Sequence, residues 1–233
     1  TGIQFVLAQY NPAGELMDEP GINRVTVEEV TEGTPPDKYH RFLSQNNAIW
    51  PHEKYLNIWL MSETKYPKFW NSITKLCVPK YRLGSETLPG LSLPPVPSTW
   101  VPKVEQIGIL FRMSTFQYFQ RSIDATAERE LVTCIGNYLG LLDTWKINNS
   151  NVNDQCNDTF AYGIVNNNGS LGTNSSWSKE VGSYRFLSEN IMDDPTGTHR
   201  SVSKDQALRM YWVLKNCAGR SMWQSDFALT GKE

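Results

Sequence analysis

The sequence predicts an α+β domain, and three features carry that reading. Strand-like patterns fill the chain before residue 113, as apolar and polar residues in alternation or as short dense apolar runs. The two strongest helical periodicities come later, over residues 124–142 and 203–215. No internal repeat interrupts this order of strands first and helices afterwards. A chain of 233 residues is long enough to bury a core as one large domain or two lobes.

Residues 2–9 alternate, with Ile3, Phe5 and Leu7 on one face, which predicts a strand. Asn11-Pro12-Ala13-Gly14 is a turn signal, and residues 22–30 read as a second strand or its edge. Pro35-Pro36 breaks the chain before a helix over residues 37–48, with Tyr39, Phe42 and Leu43 on one side. Residues 55–61 are a dense strand pattern, with Leu56, Ile58 and Leu60 on one face and Tyr55, Asn57 and Trp59 on the other. Residues 79–102 hold Pro79, Pro89, Pro94, Pro95, Pro97 and Pro102. Apolar and aromatic residues run through them, so an irregular excursion is expected and not a linker. The apolar run 107–113 supplies the last strand of the sheet. Over residues 124–142, Leu131, Ile135, Tyr138, Leu139 and Leu142 share one helix face. Asn, Ser and Gly dominate residues 147–178, which predicts a long surface loop. In the last helix Ala207, Met210, Tyr211 and Leu214 share a face, with Ser203 as its N-cap.

Composition excludes several functions. Lys plus Arg is 22 and Asp plus Glu is 24, so the formal net charge is 22 − 24 = −2. Without a basic excess, nucleic acid and polybasic membrane binding are not expected. Charged residues are 20% and aromatic residues 12%, which is the composition of a folded chain and not of a disordered one. No apolar run reaches the length of a membrane span, so no transmembrane segment is expected. The start, Thr1-Gly2-Ile3, carries no initiator Met and no signal-peptide core, so a removed leader or a trimmed start is expected.

Cys77, Cys134, Cys156 and Cys217 allow three full disulfide pairings, and no CxxC spacing suggests a zinc knuckle. Sequons at Asn148, Asn157, Asn168 and Asn174 sit in the Asn-rich stretch and read as chance features of a polar loop. No G-x-S-x-G is present, and His40, His52 and His199 are scattered, so a Ser-His-Asp hydrolase is not expected.

One segment is more specific. Residues 131–145 read Leu-Val-Thr-Cys-Ile-Gly-Asn-Tyr-Leu-Gly-Leu-Leu-Asp-Thr-Trp. This resembles the zinc helix of pappalysin-type metzincin metallopeptidases, H-E-I-G-H-x-L-G-L-x-H-T followed by an aromatic. Ile135, Gly136, Leu139, Gly140, Leu141, Thr144 and Trp145 fit that frame. The chemical positions do not: Thr133 stands for the first His, Cys134 for the Glu, Asn137 for the second His and Asp143 for the third. Other stretches fit in order. Residues 3–8 with Asn11-Pro12-Ala13-Gly14 and Gly21-Ile22-Asn23-Arg24 resemble the family's opening, and residues 50–59 its central strand. Asp158-Thr159 resembles its D-T-P loop with Phe160 for Pro, Asn190-Ile191-Met192-Asp193 its Met-turn, and residues 205–210 its closing helix. The mix is most similar to the secreted bacterial lipoprotein branch.

The resemblance implies a metzincin-like (zincin) two-lobed fold, a twisted mixed sheet with a central helix corresponding to the zinc helix. Residues 1–143 would form the upper lobe and 144–233 the lower one, within one structural domain. It also implies a cleft for a peptide or protein partner, a secreted or cell-surface location (a periplasmic or outer-membrane lipoprotein), and a lipid anchor upstream. Zinc hydrolysis needs three protein ligands, an open position for water and a carboxylate base. Thr133 and Asn137 keep the i, i+4 spacing but offer only neutral groups, which bind zinc poorly beside imidazole or thiolate. Asp143 alone could stand as a third ligand. Cys134 cannot serve as the carboxylate base, and Asp194 stands where a Tyr often follows the Met-turn. Met192 would support the floor beneath the metal. The expectation is therefore a catalytically inactive homologue, with zinc lost. Two alternatives stand beside it: an active peptidase with a remodelled site around Cys134, Asp143 and His199, and a surface adhesion or glycan-binding module. Asp154, Asp158 and Thr159 are candidates for calcium, because their oxygen chemistry suits it and the matching loop holds it in some relatives.

Overall fold

The computed structural model describes residues 2–26, 43–61, 107–112, 126–147, 154–164, 178–181, 184–187, 189–193, 200–216, 220 and 222. In chain order the elements are β1 (Ile58–Met61), β2 (Ile109–Arg112), α1 (Thr126–Tyr138), β3 (Trp145–Ile147), β4 (Tyr162–Ile164), β5 (Ser178–Val181), β6 (Tyr184–Leu187) and α2 (Lys204–Asn216). Among the described residues the strands form three two-stranded sheets. β1 and β2 are parallel with Ile58 opposite Ile109, β3 and β4 are parallel with Trp145 opposite Tyr162, and β5 and β6 are antiparallel with Ser178 opposite Leu187. No described helix is long and apolar enough to cross a membrane.

The face of β1 that turns inward is the mixed one. Tyr55, Asn57 and Trp59 are buried, whereas Ile58 and Leu60 remain exposed. Their polar groups allow this: the Asn57 side chain accepts from Trp50 N at 3.0 Å and donates to Trp50 O at 2.8 Å, and Trp59 Nε1 donates to Ala48 O at 2.9 Å. Leu43, Trp59 and Leu110 form a small core there.

α1 opens with Thr126-Ala-Glu-Arg-Glu-Leu, mostly strong helix formers. It ends at Tyr138, before the expected residue 142, for a specific reason. Gly140 has φ of 86°, its N–H donates to Asn137 O at 3.0 Å, and Leu141 N donates to Gly136 O at 3.0 Å. These are the paired bonds of a Schellman cap, in which glycine takes the left-handed position. The second half of α1 is buried nearly all round. Cys134, Tyr138, Leu139 and Leu141 join Ile107, Ile109, Ile191, Met192, Met210 and Leu214 in the main core. Residues on both sides of the expected 143/144 boundary therefore share one core.

α2 starts from a capping box. Gln206 N donates to Ser203 Oγ at 3.2 Å and Ser203 N donates to Gln206 Oε1 at 3.0 Å, so two N-terminal N–H groups are satisfied reciprocally. Its buried face is Gln206, Arg209, Met210, Val213 and Leu214, while Tyr211 faces solvent. The expected apolar stripe thus rotates toward two polar residues, because both find partners inside.

Three further expectations change. Residues 2–9 form no strand. They lie outside every sheet of the described residues, with Ile3 packed on the core and Phe5 and Leu7 exposed. Residues 147–178 are not a surface loop throughout, since Asp154 is buried and β4 lies within them. Polarity misleads there because Asp154 finds its hydrogen bonds inside. Of the expected helix over 37–48, residues 43–45 are helical, and the remainder before 43 lies outside the described residues. The expected strand over 22–30 is not formed over its described part, 22–26. The excursion 79–102, His40, His199, Cys77, Cys217, Asp194, Asn148, Asn168 and Asn174 lie outside the described residues.

Candidate functional site

The site is assembled by the C-terminal half of α1, its Schellman turn, and residues 189–193. Thr133 and Asn137, four apart, sit on one face of α1, and both are buried. Thr133 Oγ1 donates to Ile191 O at 2.9 Å. Asn137 Nδ2 donates to Leu141 O at 3.1 Å and to Asp143 Oδ1 at 3.3 Å. The structure therefore brings Asn137 and Asp143 together, with an amide-to-carboxylate hydrogen bond joining them. Cys134 is 0% exposed and lies in the apolar core.

Residues 189–193 form the tight turn beneath α1. The Asn190 side chain shapes it: Oδ1 accepts from Met192 N at 2.9 Å, and Asp193 N donates to Asn190 O at 3.1 Å. Gln206 of α2 fixes Asn190 in turn, with amide bonds of 2.7 and 3.1 Å running both ways. Ile191 N donates to Ser201 O at 2.9 Å. Met192, fully buried, lies against Gly136, where its Sδ occupies the space that a Cβ would take. Thr144 closes the other side, with both its N–H and its hydroxyl donating to Met192 O at 3.0 and 3.1 Å. Behind the turn Tyr162 donates its hydroxyl to Asp193 Oδ1, both residues being buried.

These residues do not fit zinc. Thr133 and Asn137 direct their donors at backbone carbonyls, and a metal needs lone pairs from them. Cys134 has neither the carboxylate nor the access to water that a general base requires. Of the two residue types there that can bind zinc as anions, Cys134 lies in the apolar core and Asp143 accepts from Asn137. No cluster of three or more His, Cys, Asp or Glu able to hold a metal occurs among the described residues. His52 is elsewhere, with its Nε2 3.2 Å from Glu53 Oε1.

The calcium candidates separate into two groups. Asp154, nine-tenths buried, takes the Thr159 hydroxyl on Oδ2 at 2.6 Å and Cys156 N on Oδ1 at 3.4 Å. Asp158 turns away to α2, where its Oδ2 accepts from Asp205 N at 3.0 Å. Its slight burial raises its pKa, but bonds from the Ser203 hydroxyl and the backbone N–H groups at the start of α2 outweigh this and lower it. Asp205 returns the contact by accepting from Asn157 N at 3.0 Å. Arg209, almost fully buried, donates to the carbonyls of Asp154 (3.0 Å) and Gln155. Gln155 adopts φ of 62° at this bend, in the left-handed region. A guanidinium thus already meets the carbonyl oxygens beside the buried carboxylate, and two side-chain oxygens fall short of the six to eight donors that calcium takes. Burial pushes the Cys156 thiol up to about 11, with Arg209 acting the other way, so it stays protonated. Cys134 and Cys156 form no disulfide in this structure.

Several of these residues were not singled out from sequence: Asn190 as the shaper of the turn, Gln206, Arg209, and the Tyr162–Asp193 pair. Ser203 followed three positions later by Gln206 is the one local signal that identifies any of them.

No family model matches the chain, and no curated protein matches it. Among solved structures it is similar to mature mirolysin of Tannerella forsythia in complex with a cleaved peptide. The TM-score is 0.52 at 18% sequence identity, covering 93% of this chain and 73% of that one. At this identity the likeness is one of fold, and the fold is that of a peptidase.

Proposed function

We propose that this chain is a non-catalytic relative of the metzincin-type metallopeptidases that holds a peptide or protein partner without cutting it. Mirolysin is a pappalysin-like zinc metallopeptidase of that type, the same class the sequence resemblance names. The reading is carried by the internal use of the ligand positions. Thr133 is bonded to Ile191 O, and Asn137 to Leu141 O and Asp143. Cys134 replaces the base and is buried among apolar residues. The frame around them is kept: the glycine-capped helix, and the turn carrying Met192 beneath Gly136.

A peptide partner is supported by the neighbour, whose structure holds a cleaved peptide. In this reading the partner lies extended in a cleft, paired through backbone hydrogen bonds. A secreted or cell-surface location, with a lipid anchor upstream, follows from the likeness of the motifs to the bacterial lipoprotein branch. Zinc is no part of the reading. Calcium is no part of the reading either: Asp154 and Thr159 bond to each other, and Asp158 turns away to α2.

The test is elemental analysis of untagged protein re-dialysed against zinc, with a peptide-cleavage assay run with and without chelator. The expected result is far less than one zinc per chain and no chelator-sensitive cleavage. About one zinc per chain together with chelator-sensitive cleavage would overturn the proposal.

A further inference from the structure

Residues 2–26 carry a group of exposed apolar side chains outside the α1 site. The chain doubles back as a short ribbon, closed by the Tyr10–Leu16 bridge, by Met17 N to Gln9 O at 2.9 Å and by Gly21 N to Ala8 O at 2.7 Å. Two anchors fix it to the body: Ile3 packs on the main core, and Tyr55 donates its hydroxyl to Tyr10 O at 3.0 Å. Between these anchors its apolar side chains face solvent. Phe5 is 56% exposed, Leu7 64% and Leu16 70%, and Val6, Tyr10 and Ile22 are exposed as well. Leu7 lies across Gly21, where a Cβ would come within 2.8 Å of Leu7 Cδ2, so Leu7 and Ile22 border one patch.

The backbone of this ribbon is also available. No hydrogen bond ties the main chain of Gln4, Phe5 or Val6 to another described residue. A segment with open N–H and C=O groups and exposed apolar side chains is a template for one more strand. Charge narrows the choice of partner. Residues 2–26 hold Glu15, Asp18, Glu19 and Arg24, a net of 1 − 3 = −2, which is the whole formal charge of the chain. Arg24 is taken by Glu19 at 2.7 Å, which leaves Glu15 and Asp18 without an ion pair among the described residues, Glu15 Oε2 accepting only from Asn11 Nδ2 at 2.8 Å. A second copy of the ribbon would bring like charges together, and an anionic lipid surface or nucleic acid would be repelled.

We propose that residues 4–7 dock an extended polypeptide segment by strand addition, its apolar residues meeting Phe5 and Leu7 and its flanking Lys or Arg residues meeting Glu15 and Asp18. This goes beyond the reading of the α1 site and is independent of the zinc result.

The test uses the full chain and a fluorescein-labelled probe, acetyl-Lys-Val-Thr-Val-Thr-Val-Lys-amide, followed by anisotropy. Saturable binding is expected, weakened roughly tenfold or more when the central Val of the probe is replaced by Pro, because one ladder hydrogen bond and the extended register are lost. Replacing both Lys residues of the probe by Glu is expected to weaken it several-fold, with the difference shrinking at high salt. In the protein, the double change Phe5→Ser with Leu7→Ser should weaken binding to a similar degree. Val6→Pro is the second arm. It removes an N–H that has no bond to lose in the free chain, and it should weaken binding with an unchanged melting temperature. Four outcomes would each overturn the proposal: no saturation up to millimolar protein, equal binding of the Pro-containing probe, equal binding by Val6→Pro, or a dimer in sedimentation that Phe5→Ser with Leu7→Ser dissolves. The last would assign the ribbon to a second copy of the chain.

Discussion

Thr133 illustrates how one side chain can convert a ligand position into a structural one. A histidine there would present a lone pair, whereas the threonine hydroxyl donates to the buried Ile191 carbonyl and joins α1 to the turn below it. Thr133→Val keeps the shape and removes that donor, leaving a buried carbonyl short of a partner. The expected cost is about 1–3 kcal/mol, read as a lower urea midpoint with an unchanged slope. An unchanged midpoint would mean that the bond contributes nothing in solution. At this scale the sequence was half legible. The replaced ligand types at 133, 134, 137 and 143 can be seen in the residues alone. What those residues do instead cannot, because the Thr133 and Thr144 hydroxyls bond to carbonyls 58 and 48 positions away, at Ile191 and Met192.

At the scale of elements, the glycine-capped end of α1 decides where Asp143 falls. Gly140 turns the chain so that residues 141–144 double back under the helix, and Asp143 thereby meets Asn137. Gly140→Ala forces a side chain into the left-handed region, at a cost of about 1 kcal/mol or more. Thermal unfolding checks this, and the expected sign is a lower melting temperature. A gain would show that the turn is not a Schellman cap in solution. Helix α2 was legible almost to the residue, because its capping pair and its period are local. The termination of α1 was legible in composition as a glycine, but not in position, since Leu139 and Leu142 continue the apolar stripe past the true end. Residues 2–9 were misread as a sheet strand because alternation shows which side chains share a face and not whether another strand lies alongside.

For the whole molecule, the fold class follows from the order of periodicities, and the tie between the early and late segments does not. His52 reports on that tie. It lies near Arg220, a fully buried residue close to the C-terminus whose guanidinium sits 5.6 Å from the Tyr138 ring of α1. Burial lowers the His52 pKa below 6.5, Glu53 raises it and Arg220 lowers it further. A histidine with a depressed folded pKa binds fewer protons folded than unfolded. Stability is therefore expected to fall as the pH drops below the ordinary histidine value of 6.5, until the folded pKa is passed. His52→Gln should flatten that part of the melting-temperature profile between neutral and mildly acid pH. An equal slope in both proteins would place the pH dependence on another group.

The links between residues 154–159 and α2 carry a consequence for the order in which this chain can be completed. Arg209 reaches back to Asp154 and Gln155, and Asp205 exchanges hydrogen bonds with Asn157 and Asp158. During synthesis the ribosome releases residues 154–159 well before α2 exists. Until α2 emerges, the Asp154 and Gln155 carbonyls have no guanidinium to meet, and only the local bonds of Asp154 with Cys156 and Thr159 hold the bend. The Asn190 turn waits on Gln206 in the same way. Loop closures this long are slow to form relative to local helix and turn contacts. The nascent protein therefore stays open to proteases and chaperones around residues 154–159 until α2 arrives.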